Sequence, residues 1–147
     1  MLEEKFLGTW KLVSWVMKTQ DSRISFPFGA QAVGRILYTQ DGYMAATLMA
    51  SNRPCLDVSL DELALKPKYA RAIFRFIKAA WTYMSYSGSY DVIGDTVIHH
   101  VEASLYPDWI GTDLVRPYAF TGDQLVLKAE DTPGVIHELV WEHAKKE

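Results

Sequence analysis

The chain has 147 residues, 15 Lys and Arg against 18 Asp and Glu for a formal net charge of −3, and 49% hydrophobic residues. That balance excludes intrinsic disorder, because such a chain can bury enough apolar surface to offset its ordering entropy, and the slightly acidic sum excludes a globally basic nucleic-acid binder. The length fits one domain, 1–147, and five Trp, eight Tyr and six Phe are more ring than its packing needs, so a ring-lined cavity is expected.

The first residues, Met1 to Gly8, are acidic and lack the charged-then-apolar order of a secretory signal, and no apolar run approaches the roughly 18 residues of a membrane helix. Cys55 is the only cysteine, which leaves no internal disulfide and no cysteine-based zinc site. A cytoplasmic protein without membrane insertion is the expectation. Turn signals at Asp41-Gly42, Gly94-Asp95, Gly122-Asp123 and Pro133-Gly134 separate stretches rich in Val, Ile, Tyr, Thr and Trp. This rhythm predicts strands at 8–17, 34–39, 43–50, 82–92, 96–104, 113–121, 124–129 and 135–143, with a short extra strand at 23–27.

One segment departs from alternation. Ser59 with Glu62 has the form of a capping box, and after Pro67 the residues Tyr69, Ile73, Phe76, Ile77 and Ala80 recur at helical spacing, predicting a helical segment over 59–80. Eight antiparallel strands and one helix account for nearly the whole chain. An up-and-down barrel closed at one end by the helix fits them, since closure removes exposed edges. The bases Lys66, Lys68, Arg71, Arg75 and Lys78 flank the helix with no acid between Glu62 and Asp91, a solvated face or an attraction for anionic groups at one mouth. The aromatic connection from Tyr106 to Asp113, longer than a tight turn, is either a lid carrying Trp109 or a packed loop.

Hairpin register assigns faces. A two-residue turn at Gly94-Asp95 pairs Val92 with Val97, Tyr90 with His99, Gly88 with Val101 and Tyr86 with Ala103, an apolar set that faces inward and carries His99 with it, while His100 and Glu102 point to water. The same count at Gly122-Asp123 puts Phe120, Tyr118 and Arg116 inward. On the last strand His137, Leu139 and Trp141 face in, and Glu138 and Glu142 face out. Inward candidates are therefore His99, Arg116 and His137 framed by Tyr86, Tyr90, Tyr118, Phe120 and Trp141, with Trp109 at the rim. A buried guanidinium and imidazole need partners: tyrosine and backbone oxygens in a filled barrel, or the polar end of a ligand in a hollow one. No metal is expected, because His99 and His100 point to opposite faces and no inward carboxylate is evident. No phosphate loop, nucleophile elbow or other cofactor motif is present, so no cofactor is expected.

The Gly8-Thr9-Trp10 run at the start of the first strand resembles the lipocalin and calycin signature. With Phe6 to Trp15, Gly34-Arg35-Ile36-Leu37-Tyr38, Asp41 to Ala45, Tyr86 to Tyr90 and the stretch from Val97 to Leu127, the chain is similar to the bacterial and fungal lipocalin-like domain family over almost its full length. The resemblance implies a small antiparallel barrel enclosing a mostly apolar molecule, and a basic side chain packed over the signature Trp; here His143 or Lys145 stands where an Arg is expected. Two functions follow as expectations. One is binding of a small hydrophobic or aromatic ligand by Tyr86, Tyr90, His99, Trp109, Arg116, Tyr118, His137 and Trp141, in a monomer or homodimer. The other is an isomerase, cyclase or dehydratase in which His99 moves a proton and Arg116 stabilises an oxyanion. A filled barrel acting as an interaction module is a third reading.

Overall fold

The computed structural model describes residues 3–146. A single 3-10 turn at Glu3–Lys5 leads into strands β1 (Gly8–Lys18), β2 (Ile24–Ser25), β3 (Val33–Tyr38) and β4 (Tyr43–Met49). A second 3-10 turn, Pro67–Tyr69, opens helix α1 (Ala70–Trp81), and β5 (Tyr83–Ile93), β6 (Thr96–Ser104), β7 (Asp113–Thr121), β8 (Gln124–Thr132) and β9 (Val135–His143) complete the chain. Every neighbouring pair is antiparallel. β1 meets β9 from Trp10↔His143 to Lys18↔Ile136, so β1 and β3 to β9 close an eight-stranded barrel while the short β2 lies outside it against β1. Alternation drives the closure: β3 reads exposed, buried, exposed, buried along its length, and its buried set, Gly34, Ile36 and Tyr38, shares the interior with Met44, Ala46 and Leu48 of β4. No helix among the described residues is long and apolar enough to cross a membrane.

The two ends of the barrel differ. The tight turns β3–β4, β5–β6 and β7–β8 gather at the end where β1 begins and β9 finishes, and there Phe6 fills the lumen. Its ring meets Tyr118, Tyr38 and Phe120 edge-on, with centroids 4.7, 5.2 and 5.3 Å away. Trp10 donates its indole N–H to the Phe6 carbonyl at 2.7 Å and stacks on His143 with 3.7 Å between centroids, so the basic partner of the signature Trp is His143. The long connections 19–32, 50–82 and 105–112 gather at the opposite end, which stays hollow.

Three boundaries differ from the sequence expectation, each for a local reason. The helical segment starts at Pro67, not at 59. Ser59 and Glu62 form an isolated turn in which the Ser59 carbonyl accepts from the Glu62 and Leu63 amides, and Lys66, which precedes Pro67, is held extended at φ −125°, ψ 149°, so helix cannot run through it. Tyr86 opposes Ser104, not Ala103, because the register shifts between Ser87 and Gly88. A Cβ at Gly88 would lie 1.8 Å from the His100 carbonyl oxygen, so only glycine lets β5 and β6 approach there. Finally β8 continues past Ala129 to Thr132, and that extension brings in the carboxylate that the sequence reading lacked.

Candidate ligand-binding site

The open end holds a cavity of about 720 Å³, inside the range of small-molecule sites. β1 and the 19–32 connection supply Trp15 and Phe28, and β4 and β5 supply Leu48, Tyr83, Met84 and Tyr86. Phe76, Ile77, Ala80 and Trp81 of α1 and Leu105, Tyr106 and Trp109 of the β6–β7 connection cover it from above. Helix α1 is moored by two arginines more than by burial. Arg53 donates to the Ala79 and Thr82 carbonyls at its C-terminus, where unpaired carbonyls collect, and Arg75 of the helix reaches back to the Cys55 carbonyl and to Asp57. Ala72 is the one buried residue of the helix, and Trp81 is 84% exposed.

The remaining lining comes from β7, β8 and β9: the apolar Ala129 and Leu139, and the polar Arg116, Asp131 and His137, which with the Tyr86 hydroxyl form the polar wall. Arg116 is buried and donates from Nη1 and Nη2 to the two Asp131 carboxylate oxygens at 2.9 and 3.4 Å. The pairing explains how an inward guanidinium is tolerated. The His137 Nδ1 accepts the Trp15 indole N–H at 3.0 Å, and partial burial lowers its pKa, with the Asp131 carboxylate working the other way and the Arg116 charge adding to the lowering. Trp15 in turn meets Phe28 edge-on at 4.7 Å.

Beneath this wall His99 is completely buried between two phenols. Its Nε2 lies 2.8 Å from the Tyr38 hydroxyl and its Nδ1 2.9 Å from the Tyr86 hydroxyl. Burial first, then Arg116 and His100, depress its pKa to about 3, so the ring is neutral at physiological pH. Burial likewise raises both tyrosines, well above the ordinary value for Tyr38 and less for Tyr86, where the Arg116 guanidinium works the other way. His100 faces outward as expected, with its two nitrogens 2.6 and 2.9 Å from Asp113 and Asp91; those hydrogen bonds raise its pKa.

The sequence-predicted residues thus divide by height along the barrel. Tyr86, Trp109, Arg116 and His137 line the cavity. His99 lies under its floor, behind Tyr86, and does not share the cavity wall with Arg116. Tyr90 donates to the Thr39 carbonyl and Tyr118 to the Gly94 carbonyl at the closed end, while Trp141 is buried against the strands around it. All face inward, but strand parity fixes the face and not the depth. Among the residues missed, Asp131 lies beyond the expected end of its strand and past the point where the pairing of β8 with β9 becomes irregular, between Ala129 and Thr132, so counting in twos does not reach it; Trp15 shares the inward parity of β1 less clearly, because the register of β1 shifts between Leu12 and Ser14. Among the described residues no group of three or more His, Cys, Asp or Glu side chains is placed to hold a metal ion.

A closed antiparallel barrel with a signature Trp capped at its base and a ring-lined hollow at the other end defines a barrel of the lipocalin type. The chain belongs to the lipocalin-like domain family, whose model matches residues 7–144. Among solved structures it is similar to a lipocalin-like protein from Bacteroides uniformis, at 9% identity over 95% of this chain and 99% of that one with a TM-score of 0.50. It also resembles the fluorescent protein UnaG, at 14% identity over 98% and 100% of the two chains with a TM-score of 0.45, and a redesigned β-barrel, at 11% identity over 97% and 95% with a TM-score of 0.47. No curated protein matches the sequence.

Proposed function

We propose that the protein binds one small, largely apolar or aromatic molecule in the open half of the barrel, with the ligand's polar end against Arg116, Tyr86 and His137. The observation that carries this reading is the cavity of about 720 Å³ walled mostly by rings and aliphatic side chains, with its charged pair and imidazole on the adjacent strands β7, β8 and β9. Burial of apolar ligand surface supplies the affinity, at about 25 cal/mol per Å², and the polar wall supplies orientation.

Binding is favoured over turnover by the place of His99. A proton-transfer role needs the ring within hydrogen-bond reach of the substrate, and both its nitrogens are already engaged by Tyr38 and Tyr86 out of the cavity. Fluorescence titration with aminoanthracene, an apolar aromatic probe, tests the reading against Ala129→Phe, which places a ring in the cavity. Saturable binding by the wild type and its loss in the variant are expected. Equal binding by both proteins would refute it. Native mass spectrometry of the purified protein is expected to show a retained small molecule that Ala129→Phe does not carry.

A further inference from the structure

The directions of the buried hydrogen bonds follow from which groups can donate. Tyr38 is almost fully buried, and among the described residues its hydroxyl has a single hydrogen-bond partner, Nε2 of His99. A neutral imidazole has one N–H and one bare nitrogen. If Nε2 carried the hydrogen, the Tyr38 hydroxyl would have to accept, and its own hydrogen would be buried without an acceptor, which is costly. Tyr38 therefore donates to a bare Nε2. The hydrogen of His99 then sits on Nδ1 and is donated to the Tyr86 oxygen, and the Tyr86 hydroxyl hydrogen is displaced toward the cavity that Tyr86 lines.

His137 is fixed by the same logic. The Trp15 indole is a donor only, so Nδ1 of His137 must be bare and Nε2 carries the hydrogen. Arg116 contributes only donors; two of its nitrogens face Asp131, the Val115 carbonyl also accepts from it, and it bonds the Tyr86 oxygen as well, which adds to the His99 N–H in turning the Tyr86 hydrogen outward and still leaves an N–H of the five. The polar wall consequently presents hydrogen-bond donors from three side chains. Its one carboxylate already has both oxygens engaged by Arg116, and the pair cancels in charge, so the wall is neutral as a whole.

We propose that His99 is a positioning residue which turns Tyr86 into a donor aimed at the cavity, and that the site selects an uncharged aromatic or conjugated ligand ending in a carbonyl oxygen. This rests on the reading of the cavity as a binding site and names the chemistry of its ligand. A carbonyl accepts from Tyr86, His137 and Arg116 without displacing Asp131, whereas a carboxylate must compete with Asp131 for the guanidinium, and a hydroxyl or amine has to direct its own hydrogen to the remaining lone pairs of Asp131 while meeting the same three donors.

Two measurements test it. Long-range proton–nitrogen correlation spectra of protein labelled with nitrogen-15 histidine report tautomers directly: His99 is expected with Nδ1 protonated and Nε2 bare, and His137 with the reverse. His99 found as the Nε2–H form overturns the proposal. The second compares Prodan, a naphthyl ketone whose emission reddens when its carbonyl accepts a hydrogen bond, with its alkyl counterpart lacking the oxygen. The wild type is expected to prefer the ketone by roughly fivefold, the worth of one net hydrogen bond. Tyr86→Phe, which keeps the ring and loses the donor, is expected to weaken Prodan by a similar factor and shift its emission to the blue while leaving the alkyl probe alone. A merely structural Tyr86 would not move the emission. Equal binding of the two probes, or unchanged emission in Tyr86→Phe, overturns the ligand class and leaves the cavity reading intact. Failure of both probes to bind overturns the cavity reading, and the ligand class falls with it.

Discussion

The buried imidazole should make the fold acid-sensitive by an amount that can be worked out. In the unfolded chain His99 titrates near its ordinary 6.5, whereas in the barrel its pKa is about 3. Above 6.5 the ring is neutral in both states and contributes no pH dependence. Between 6.5 and 3 the unfolded chain binds a proton that the barrel refuses, so stability is lost as pH falls, at about 1.4 kcal/mol per pH unit. From pH 7.5 to 5 the loss is roughly 2 kcal/mol. His137, lowered as well, adds loss of the same sign, and His100, raised by Asp113 and Asp91, contributes stability that is present at low pH and fades as pH rises through its folded value. A variant isolates His99 from both. His99→Gln keeps a donor and an acceptor between Tyr38 and Tyr86 but does not titrate. Urea unfolding followed by tryptophan fluorescence at the two pH values is expected to show the wild type losing about 2 kcal/mol more than His99→Gln. Parallel pH profiles of the two proteins would refute the account, as would His99 ring resonances in the folded wild type that titrate above pH 5.

Other outcomes follow from the same geometry. Gly88→Ala forces a methyl to within 1.8 Å of the His100 carbonyl oxygen and is expected to cost on the order of 3 kcal/mol in thermal or urea unfolding; a variant as stable as wild type would show that the bulge relaxes freely. Asp131→Asn leaves Arg116 charged without its counterion, so anilinonaphthalene sulfonate, an anionic aromatic probe, is expected to bind about tenfold more tightly. Weaker binding would mean that Asp131 itself holds the probe. Amide exchange within 70–81 is expected to be faster than in β1 and β9, because the helix buries one side chain while β1 and β9 are paired along most of their length; equal protection would show that the helix is part of the cooperative core.

The sequence was most legible where chemistry is local. Glycine turns at Gly94 and Gly122, both with positive φ, fix the registers Val92↔Val97 and Phe120↔Leu125, and from these the inward faces of β5, β6, β7 and β8 follow by counting in twos. That is why His99, Arg116 and Tyr86 were found on the inside. Depth was not legible, since a period of two says nothing about position along the barrel axis. Tyr90 and Tyr118 share the parity of Tyr86 yet pack at the closed end, and nothing in their own residue types distinguishes them. The helix shows the same limit. Its apolar spacing is plain and places it over one end of the barrel, but spacing does not tell how deep the stripe is buried, and Ile77 and Trp81 both line the cavity and meet solvent.

Closure and hollowness are two halves of one division of labour. At the base, Phe6, Trp10, Tyr38, Tyr118 and Phe120 fill the lumen with interlocked rings, and His143 covers the outer face of Trp10. These contacts order the barrel without any ligand. Above His99 the inward positions include the small Ala129, and Ala80 of the helix lines the same space, so there is less side chain to fill it. The Tyr38–His99–Tyr86 chain lies at the boundary between the two regions. Its lower hydroxyl is satisfied inside the packed half, and its upper hydroxyl is the first polar group of the hollow half. A hydrogen bond that is complete on one side and open on the other is what a packed base needs in order to present a fixed donor to a cavity, because the orientation of Tyr86 is then set by the core and not by the ligand.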